Sequence, residues 1–223
     1  MKVSTDACIF GAWVARQWCK KTGRALDIGT GTGLLSLMLL QENPRLQVTA
    51  LEPEPAAAQE AARNFEQSVW RDRARVVEQT LQAFSVSPLP SAYHLIICNP
   101  PFFQGHLTGN DERRNRARHD TLLPEMLAFY SKRLIHSEGQ LAVIYPTHVW
   151  EQWQQAAGRE GWRVTQALHV QPVPHKPVNR ICGIFTREGS KETAIPQSLL
   201  IRDVHGDYTP TFKELMKPYY LKV

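Results

Sequence analysis

Residues 25–33 read Ala25-Leu26-Asp27-Ile28-Gly29-Thr30-Gly31-Thr32-Gly33, and the apolar run from Leu34 to Leu40 follows them directly. The pattern predicts a buried strand, a glycine-rich turn and a helix, and such a turn lets a cofactor approach the backbone closely. The glycines are spaced G-x-G-x-G, so the third comes one position too early for the G-x-G-x-x-G fingerprint of dinucleotide sites. The spacing argues against a dinucleotide, and the glycines alone would also fit a tight strand-to-helix connection.

An acidic residue ends the next predicted strand. The run Val48-Thr49-Ala50-Leu51-Glu52 places Glu52 about where α/β nucleotide sites hold a carboxylate for the ribose. Its oxygens can accept hydrogen bonds from both ribose hydroxyls. A solvated strand end is the alternative, but the ordered combination with Asp27 and the glycines favours a cofactor site.

The motif Asn99-Pro100-Pro101-Phe102 follows another apolar run, Leu95-Ile96-Ile97-Cys98. An exocyclic amine of a nucleobase is a poor nucleophile because its lone pair is delocalised into the ring. The Asn99 side-chain oxygen and the Pro100 carbonyl can accept the two amine hydrogens and favour a pyramidal nitrogen. Phe102 supplies a stacking surface, and the prolines fix the backbone. The motif indicates methylation of a nucleobase nitrogen, although a rigid turn alone would also explain it.

The four cysteines, at positions 8, 19, 98 and 182, are scattered without any C-x-x-C pair. They indicate neither a zinc site nor a disulfide framework, and we expect no metal. Cys98 stands directly before Asn99 and could attack a pyrimidine carbon. Its place in an apolar strand favours a packing role instead.

Strands and helices alternate over most of the chain. Strands are predicted at Arg24–Ile28, Gln47–Glu52, Arg75–Glu78, Tyr93–Cys98, Gln140–Tyr145, Trp162–Val170 and Arg180–Thr186. Helices are predicted at Leu34–Glu42, Pro55–Ser68, Leu122–Ile135 and Val149–Glu160. This α/β alternation predicts a doubly wound, mostly parallel seven-stranded sheet, and the last strand is predicted antiparallel because no long helix precedes it. Open α/β sheets bind ligands where strands end, so Gly29 and Asn99 should meet there.

The 223 residues suit one domain with its own core. We divide it into an N-terminal segment at 1–22, a Rossmann-like core at 23–190 and a C-terminal extension at 191–223. Hydrophobic content of 43% and charged content of 21% exclude a disordered chain. The longest apolar run is too short to cross a bilayer, and no signal peptide is visible, so we expect a cytoplasmic protein with no membrane partner.

Positive charge is concentrated in two predicted loops of a chain whose net charge is +5. The first loop contains Arg113, Arg114, Arg116 and Arg118 and follows the Asn-Pro-Pro-Phe motif. A charge run is often only solvated surface, but this position favours contacts to RNA phosphates. The second loop, residues 174–180, contains Lys176, and for it RNA binding and a plain strand connector remain equally open.

The motifs resemble those of class I S-adenosylmethionine-dependent methyltransferases. Similarity extends over nearly the whole chain to the bacterial tRNA(Val) adenine-37 N6-methyltransferase family. It rests on the motifs above together with Met1-Lys2-Val3-Ser4-Thr5-Asp6-Ala7, Phe10-Gly11-Ala12-Trp13, the Asn-Pro-Pro-Phe-Phe-Gln-Gly run and Ala117-Arg118-His119. The resemblance implies a Rossmann-like sheet with its last strand inserted antiparallel.

The same resemblance implies a cofactor, a partner and site residues. The cofactor is S-adenosylmethionine, and the partner is the anticodon stem-loop of a valine tRNA. The cofactor-binding residues are Asp27, Gly29, Thr30, Gly31, Gly33, Glu52 and Thr80. The target adenine, adenine 37, is held by Asn99, Pro100 and Phe102.

Two departures from the family pattern carry expectations of their own. Many members have an acid at the position of Thr80, where it contacts the adenine amine of the cofactor. A hydroxyl only partly replaces a carboxylate acceptor, so we expect weaker cofactor binding or a substitute contact from Gln79. Family members usually carry an aromatic and basic segment before the Met-Lys-Val, so we expect an RNA-contacting arm to be missing ahead of Met1.

Three rival functions share parts of this pattern. The Asn-Pro-Pro-aromatic motif also occurs in enzymes that methylate a glutamine side chain of release factors and in ribosomal RNA guanine-N2 methyltransferases, because each substrate presents a planar NH₂ group. The basic loop favours RNA over a protein substrate. The third rival is a non-catalytic RNA-binding module that retains the methyltransferase fold.

Overall fold

The computed structural model describes residues 4–86, 93–101, 122–187 and 195–221. These residues form one mixed sheet flanked by helices. The strands are β1 (Gly23–Ile28), β2 (Leu46–Leu51), β3 (Ala74–Val77), β4 (Tyr93–Cys98), β5 (Ile135–Pro146), β6 (Trp162–Gln171), β7 (Arg180–Arg187) and β8 (Ile195–Leu200). The helices are α1 (Thr5–Trp18), α2 (Leu34–Glu42), α3 (Pro55–Gln67), α4 (Leu81–Val86), α5 (Pro124–Leu134), α6 (Thr147–Arg159) and α7 (Pro210–Met216).

The strand order across the sheet is β3-β2-β1-β4-β5-β7-β6-β8. The five strands from β3 to β5 are mutually parallel. Strand β7 is inserted antiparallel between β5 and β6. The predicted doubly wound, mostly parallel sheet with an antiparallel last core strand is therefore confirmed.

The described residues contain eight strands where seven were predicted. The additional strand is β8, which pairs parallel to β6 at the edge of the sheet and lies in the predicted C-terminal extension. It contains Pro196. A proline has no N–H for a sheet ladder and is tolerated on an edge strand, which is where β8 lies.

The predicted N-terminal segment contains helix α1. The Ser4 hydroxyl accepts a hydrogen bond from the Ala7 N–H at 3.2 Å and so begins the helix. The indole of Trp13 donates to Gln197 of β8 at 3.1 Å, and that of Trp18 donates to Gln140 of β5 at 3.0 Å. These contacts attach α1 to the sheet at two separate strands.

Two apolar clusters cover the two faces of the sheet. On one face, Phe10 of α1 and residues of α2 and α7 pack with Leu95 and other strand residues. On the other face, Leu127 of α5 and Trp153 of α6 pack with residues such as Ile96. Because β4 is covered on both sides, its four last residues are all buried, and the residue after Cys98 emerges at the strand end.

Within the described ranges, no helix combines the length and the apolar character that a membrane span requires. All four cysteines are free thiols. Among the same residues, no three His, Cys, Asp or Glu side chains are grouped as a metal ion would require.

Candidate active site

The glycine-rich turn follows β1 in a conformation that requires its glycines. Gly29, Gly31 and Gly33 have φ angles of 68°, 57° and 85°. A Cβ atom on Gly33 would lie 2.6 Å from Cε1 of Phe65. The N–H groups of Gly29 and Thr30 donate to the Leu51 carbonyl at 2.8 and 3.1 Å, which fixes the turn against the end of β2.

Asp27 lies beneath this turn as a fully buried carboxylate. Its Oδ2 accepts hydrogen bonds from the hydroxyls of Thr30 at 2.6 Å and Ser36 at 2.7 Å. Its Oδ1 has no hydrogen-bond partner among the described residues. Burial raises the pKa of Asp27 to about 6, with a smaller contribution from the charge of Glu52 and a partly opposing one from the two hydroxyls.

Glu52 follows β2 and joins the turn to the strand end. Its Oε2 accepts the Gly31 N–H at 2.9 Å, and its Oε1 accepts the Glu54 N–H at 3.1 Å. The side chain is buried, yet it borders a cavity. A carboxylate fixed in this way presents acceptor oxygens at the position that the sequence assigned to ribose recognition.

A cavity of about 1100 Å³ opens at the carboxyl edge of the parallel strands. It brings together six of the predicted site residues, which come from the ends of four strands: Gly29, Thr30, Glu52, Thr80, Asn99 and Pro100. Gly31 lies behind this lining, where its N–H holds Glu52. Apolar side chains such as Leu35 and Leu81 complete the wall.

Asn99 and Pro100 reach the cavity because they follow β4 at the centre of the sheet. Asn99 is half-buried, Pro100 is buried and Pro101 is exposed. The Asn99 side chain and the Pro100 carbonyl are acceptors that can engage the two hydrogens of a flat amine. Cys98, one residue earlier, is buried, and desolvation followed by the charge of Asp27 raises the pKa of its thiol well above the usual value, which disfavours a nucleophilic role.

Several predicted residues lie elsewhere. Lys176 is exposed in the loop between β6 and β7 and does not line the cavity. Five predicted residues lie outside the described ranges: Phe102, Arg113, Arg114, Arg116 and Arg118.

Three side chains that the structure places at the site were not singled out from the sequence, although Arg180 ends the second basic loop. The Ser36 hydroxyl donates a hydrogen bond to Asp27. In the sequence, Ser36 could have been noticed as the one polar residue within the apolar run from Leu34 to Leu40. Asp6 and Arg180 line the cavity and form an ion pair, Nε to Oδ2, at 2.9 Å. No local sequence pattern identifies this pair because its members come from α1 and β7.

The residues present fit a nucleoside cofactor with a positive centre. The glycine turn leaves its backbone open to a ligand, since a Cβ on Gly29 would meet nothing within 4 Å. Glu52 offers carboxylate oxygens for ribose hydroxyls, and Asp27 has an unsatisfied buried oxygen close to the turn. Leu35 and Leu81 add apolar surface for a ring.

Because the pKa of Asp27 is raised, we expect the folded protein to become less stable as the pH rises. Between pH 4 and 6 the unfolded chain releases this proton before the folded protein does, so the free energy of unfolding decreases as the pH rises. Above pH 6 the cost is on the order of 3 kcal/mol. Asp27→Asn keeps an acceptor for both hydroxyls and removes the charge, so we expect it to be more stable than wild type at pH 8 and similar at pH 4.

Urea unfolding of both proteins at several pH values measures this difference. Asp72→Asn, at an exposed position, controls for the loss of a surface charge. If the free energy of unfolding depended on pH in the same way for wild type and Asp27→Asn, burial of the Asp27 charge would not carry the cost assigned to it.

Thr80→Asp is expected to tighten S-adenosylmethionine binding. Thr80 is exposed at the cavity, and its hydroxyl accepts the Ala83 N–H at 3.2 Å at the start of α4. Aspartate caps a helix equally well, and its carboxylate is a stronger acceptor for an amine. We expect Kd to fall roughly three- to tenfold, measured by calorimetry, with Thr80→Ser unchanged. An unchanged Kd for Thr80→Asp would remove this position from cofactor recognition.

Comparisons with known proteins agree with this geometry. Residues 14–150 match the methyltransferase small domain family. The chain is similar to a predicted O-methyltransferase from Agrobacterium tumefaciens, with a TM-score of 0.74, 20% identity and 96% of each chain covered. It is also similar in fold to a glycopeptide N-methyltransferase crystallised with S-adenosylmethionine, with a TM-score of 0.53, 14% identity, and 80% of this chain and 88% of that chain covered.

A relative found by sequence similarity indicates a more specific family than the comparisons above. The tRNA1(Val) (adenine(37)-N6)-methyltransferase of Yersinia pestis (strain Pestoides F) is 34% identical over 223 residues, which covers 99% of this chain and 88% of that protein. This identity extends over most of both proteins and is sufficient to assign the family. The chain belongs to the tRNA1(Val) (adenine(37)-N6)-methyltransferase family.

Proposed function

We propose that this protein, as a single methyltransferase domain, transfers a methyl group to the exocyclic N6 of adenine 37 in a valine tRNA. One cavity is lined by Gly29 and Glu52, which are proposed to bind the cofactor, and by Asn99 and Pro100, which are proposed to bind the amine. This shared lining is the observation that carries the proposal. The family relative carries the same reaction in its name. We also propose that the reaction takes place in the cytoplasm, where a tRNA substrate would be found.

The cofactor half of the site is built from the ends of β1, β2 and β3. S-adenosylmethionine is the cofactor, and its sulfonium makes the methyl group electrophilic. Glu52 accepts hydrogen bonds from the ribose hydroxyls, and the turn from Gly29 to Gly33 contacts the cofactor through its backbone. Thr80 lies where the adenine amine is expected. Asp27 holds the turn from beneath through Thr30 and Ser36.

The acceptor half activates a poor nucleophile by geometry. Asn99 Oδ1 and the Pro100 carbonyl accept the two amine hydrogens, so the nitrogen becomes pyramidal and its lone pair can point at the methyl group. Phe102 is proposed as the stacking surface for the ring. The methylated nitrogen is cationic and acidic, so its proton can pass to water, and the proposal requires no protein base.

Positive charge in the two basic segments of the sequence is proposed to hold the RNA. We assign Arg113, Arg114, Arg116 and Arg118 to phosphates of the anticodon stem-loop. Lys176 is proposed to extend this surface from the β6–β7 loop, whose shape is fixed because the Gln171 amide donates to the Pro174 and Lys176 carbonyls at 3.1 and 2.8 Å. Bases of an anticodon loop are already partly unstacked, so extrusion costs less than from a duplex.

Labelled S-adenosylmethionine and tRNA from a strain lacking its own enzyme test the proposal. After nucleoside digestion and chromatography, we expect the label in N6-methyladenosine, and substitution of adenine 37 in a transcribed valine tRNA should abolish it. Label in release factor or in ribosomal RNA, each supplied separately, would identify a rival substrate. Binding of RNA and cofactor without label in any substrate would support the non-catalytic module.

A further inference from the structure

Among the residues that the structure describes, one cationic side chain lines the cavity, and the proposed reaction assigns it no role. Arg180 is the first residue of β7, pairs with Pro146 at the end of β5, and lines the cavity. Its Nε contacts Asp6 Oδ2 at 2.9 Å, and its Nη1 donates to the Asn179 carbonyl at 2.9 Å. Its side chain keeps 26% of its surface exposed, so the guanidinium is held in place yet is accessible.

The strand order places Arg180 on the acceptor side. Gly29, Glu52 and Thr80 follow β1, β2 and β3, which lie on one side of β4. Arg180 begins β7, which lies on the other side of β4, beyond β5. Because β7 runs antiparallel, its first residue and not its last lies at the edge that holds the cavity. Asn99, at the end of β4, stands between these two groups.

We propose that Arg180 binds one of the two phosphates that flank the target nucleotide, and that Asp6 is a positioning residue that orients the guanidinium. This inference rests on the proposed tRNA function and adds the group that anchors the target backbone on the acceptor side of the cavity. An extruded base carries its phosphates to the mouth of the cavity, where a cation compensates their charge.

The chemistry of arginine suits this role. A guanidinium carries five N–H donors in a planar fork, so it can contact a carboxylate and a phosphate together. Asp6 lies in the first turn of α1, where the helix dipole favours its negative charge. The loop before Arg180 is also anchored, since the Thr147 hydroxyl donates to the Val178 carbonyl at 2.8 Å. The guanidinium therefore occupies a defined position before RNA arrives.

Arg180→Gln and Arg187→Gln form a matched pair, because both residues are on β7 and Arg187 is exposed at the opposite edge of the sheet. For Arg180→Gln we expect a roughly tenfold rise in the tRNA Kd and KM, an unchanged S-adenosylmethionine Kd, and a salt slope of log Kd smaller by about 0.7–0.9. Asp6→Asn should give a smaller rise. Arg187→Gln should match wild type.

Methylphosphonate linkages identify the contact directly. Two valine tRNAs, each neutral at one phosphate flanking the target adenosine, are compared with unmodified tRNA by filter binding, which needs no turnover. One of the two modified tRNAs should bind the wild-type protein about tenfold more weakly than unmodified tRNA does. Arg180→Gln should bind that modified tRNA as tightly as it binds unmodified tRNA. The inference would be overturned if Arg180→Gln also bound the modified tRNA about tenfold more weakly than unmodified tRNA. It would be overturned as well if the variant had a changed S-adenosylmethionine Kd and normal RNA binding. Failure of the wild type to methylate tRNA would reject the proposed function, while the binding cycle would still decide the phosphate contact.

Discussion

Asn99→Ala is expected to lower kcat for methyl transfer by about 10²–10³-fold. Asn99 follows β4 and lines the cavity, and its side-chain oxygen is one of the two acceptors that the proposed reaction uses to make the amine pyramidal. Without it the lone pair remains in the ring and points away from the methyl group. The effect belongs to the transition state, so KM for tRNA should change little.

Asn99→Asp separates this role from a structural one. Aspartate keeps an acceptor oxygen of the same shape, so we expect it to retain clearly more activity than alanine. Single-turnover rates with saturating S-adenosylmethionine measure both variants, and calorimetry should show a cofactor Kd near wild type. Near-wild-type turnover in Asn99→Ala would reject the assigned mechanism.

Glu52→Ala is expected to raise the S-adenosylmethionine Kd by about 100-fold. The carboxylate is proposed to accept two ribose hydrogen bonds, and each bond to a charged acceptor contributes substantially in a buried site. Glu52 also holds the Gly31 N–H at 2.9 Å, so its removal releases the glycine turn that the cofactor contacts. Both effects weaken binding of the cofactor and leave the chemistry of Asn99 intact.

Turnover of Glu52→Ala at saturating cofactor should therefore recover to within a few-fold of wild type. Glu52→Gln keeps one acceptor oxygen and should show an intermediate Kd. Glu66→Ala, at an exposed position on α3, is the matched control and should bind the cofactor normally. A Glu52→Ala variant with an unchanged Kd would show that the ribose is held elsewhere.

The parallel half of the fold was predictable because each unit carries a local signal. The strand Tyr93–Cys98 was predicted with its observed bounds, since an apolar run ends sharply at Asn99. Strand β5 was predicted from Gln140, but it begins at Ile135. Residues 136–139 are polar or glycine and give no strand pattern. They lie at an irregularity between the Tyr93–Ile135 and Leu95–Gln140 pairs, so only the pairing with β4 on both sides of them reveals the longer strand.

The acceptor side of the site was less predictable because it depends on tertiary contacts. Strand β8 contains Pro196, which argues against a strand until its edge position is known. Asp6 and Arg180 meet only because α1 packs across the sheet and β7 reverses direction. On the cofactor side, Ser36 stood out as a polar residue within an apolar run, but its partner Asp27 is identified only by the packing of α2 against the turn.

The two ends of the chain are held together, and this affects when the enzyme becomes competent during its synthesis. The Trp13 indole donates to Gln197, and Arg16 contacts Glu214 at 3.0 Å, so α1 rests partly on residues that are translated long after it. A nascent chain can form β1 to β4 from neighbouring segments and can already pack α1 against α2, whereas the contacts of α1 with β8 and α7 form only after those elements have been translated. Asp6 lies on α1 and Arg180 begins β7, so their ion pair at the cavity also forms only after β7 has been translated. If Arg180 makes the phosphate contact proposed above, this contact with tRNA becomes available only late in the synthesis of the enzyme.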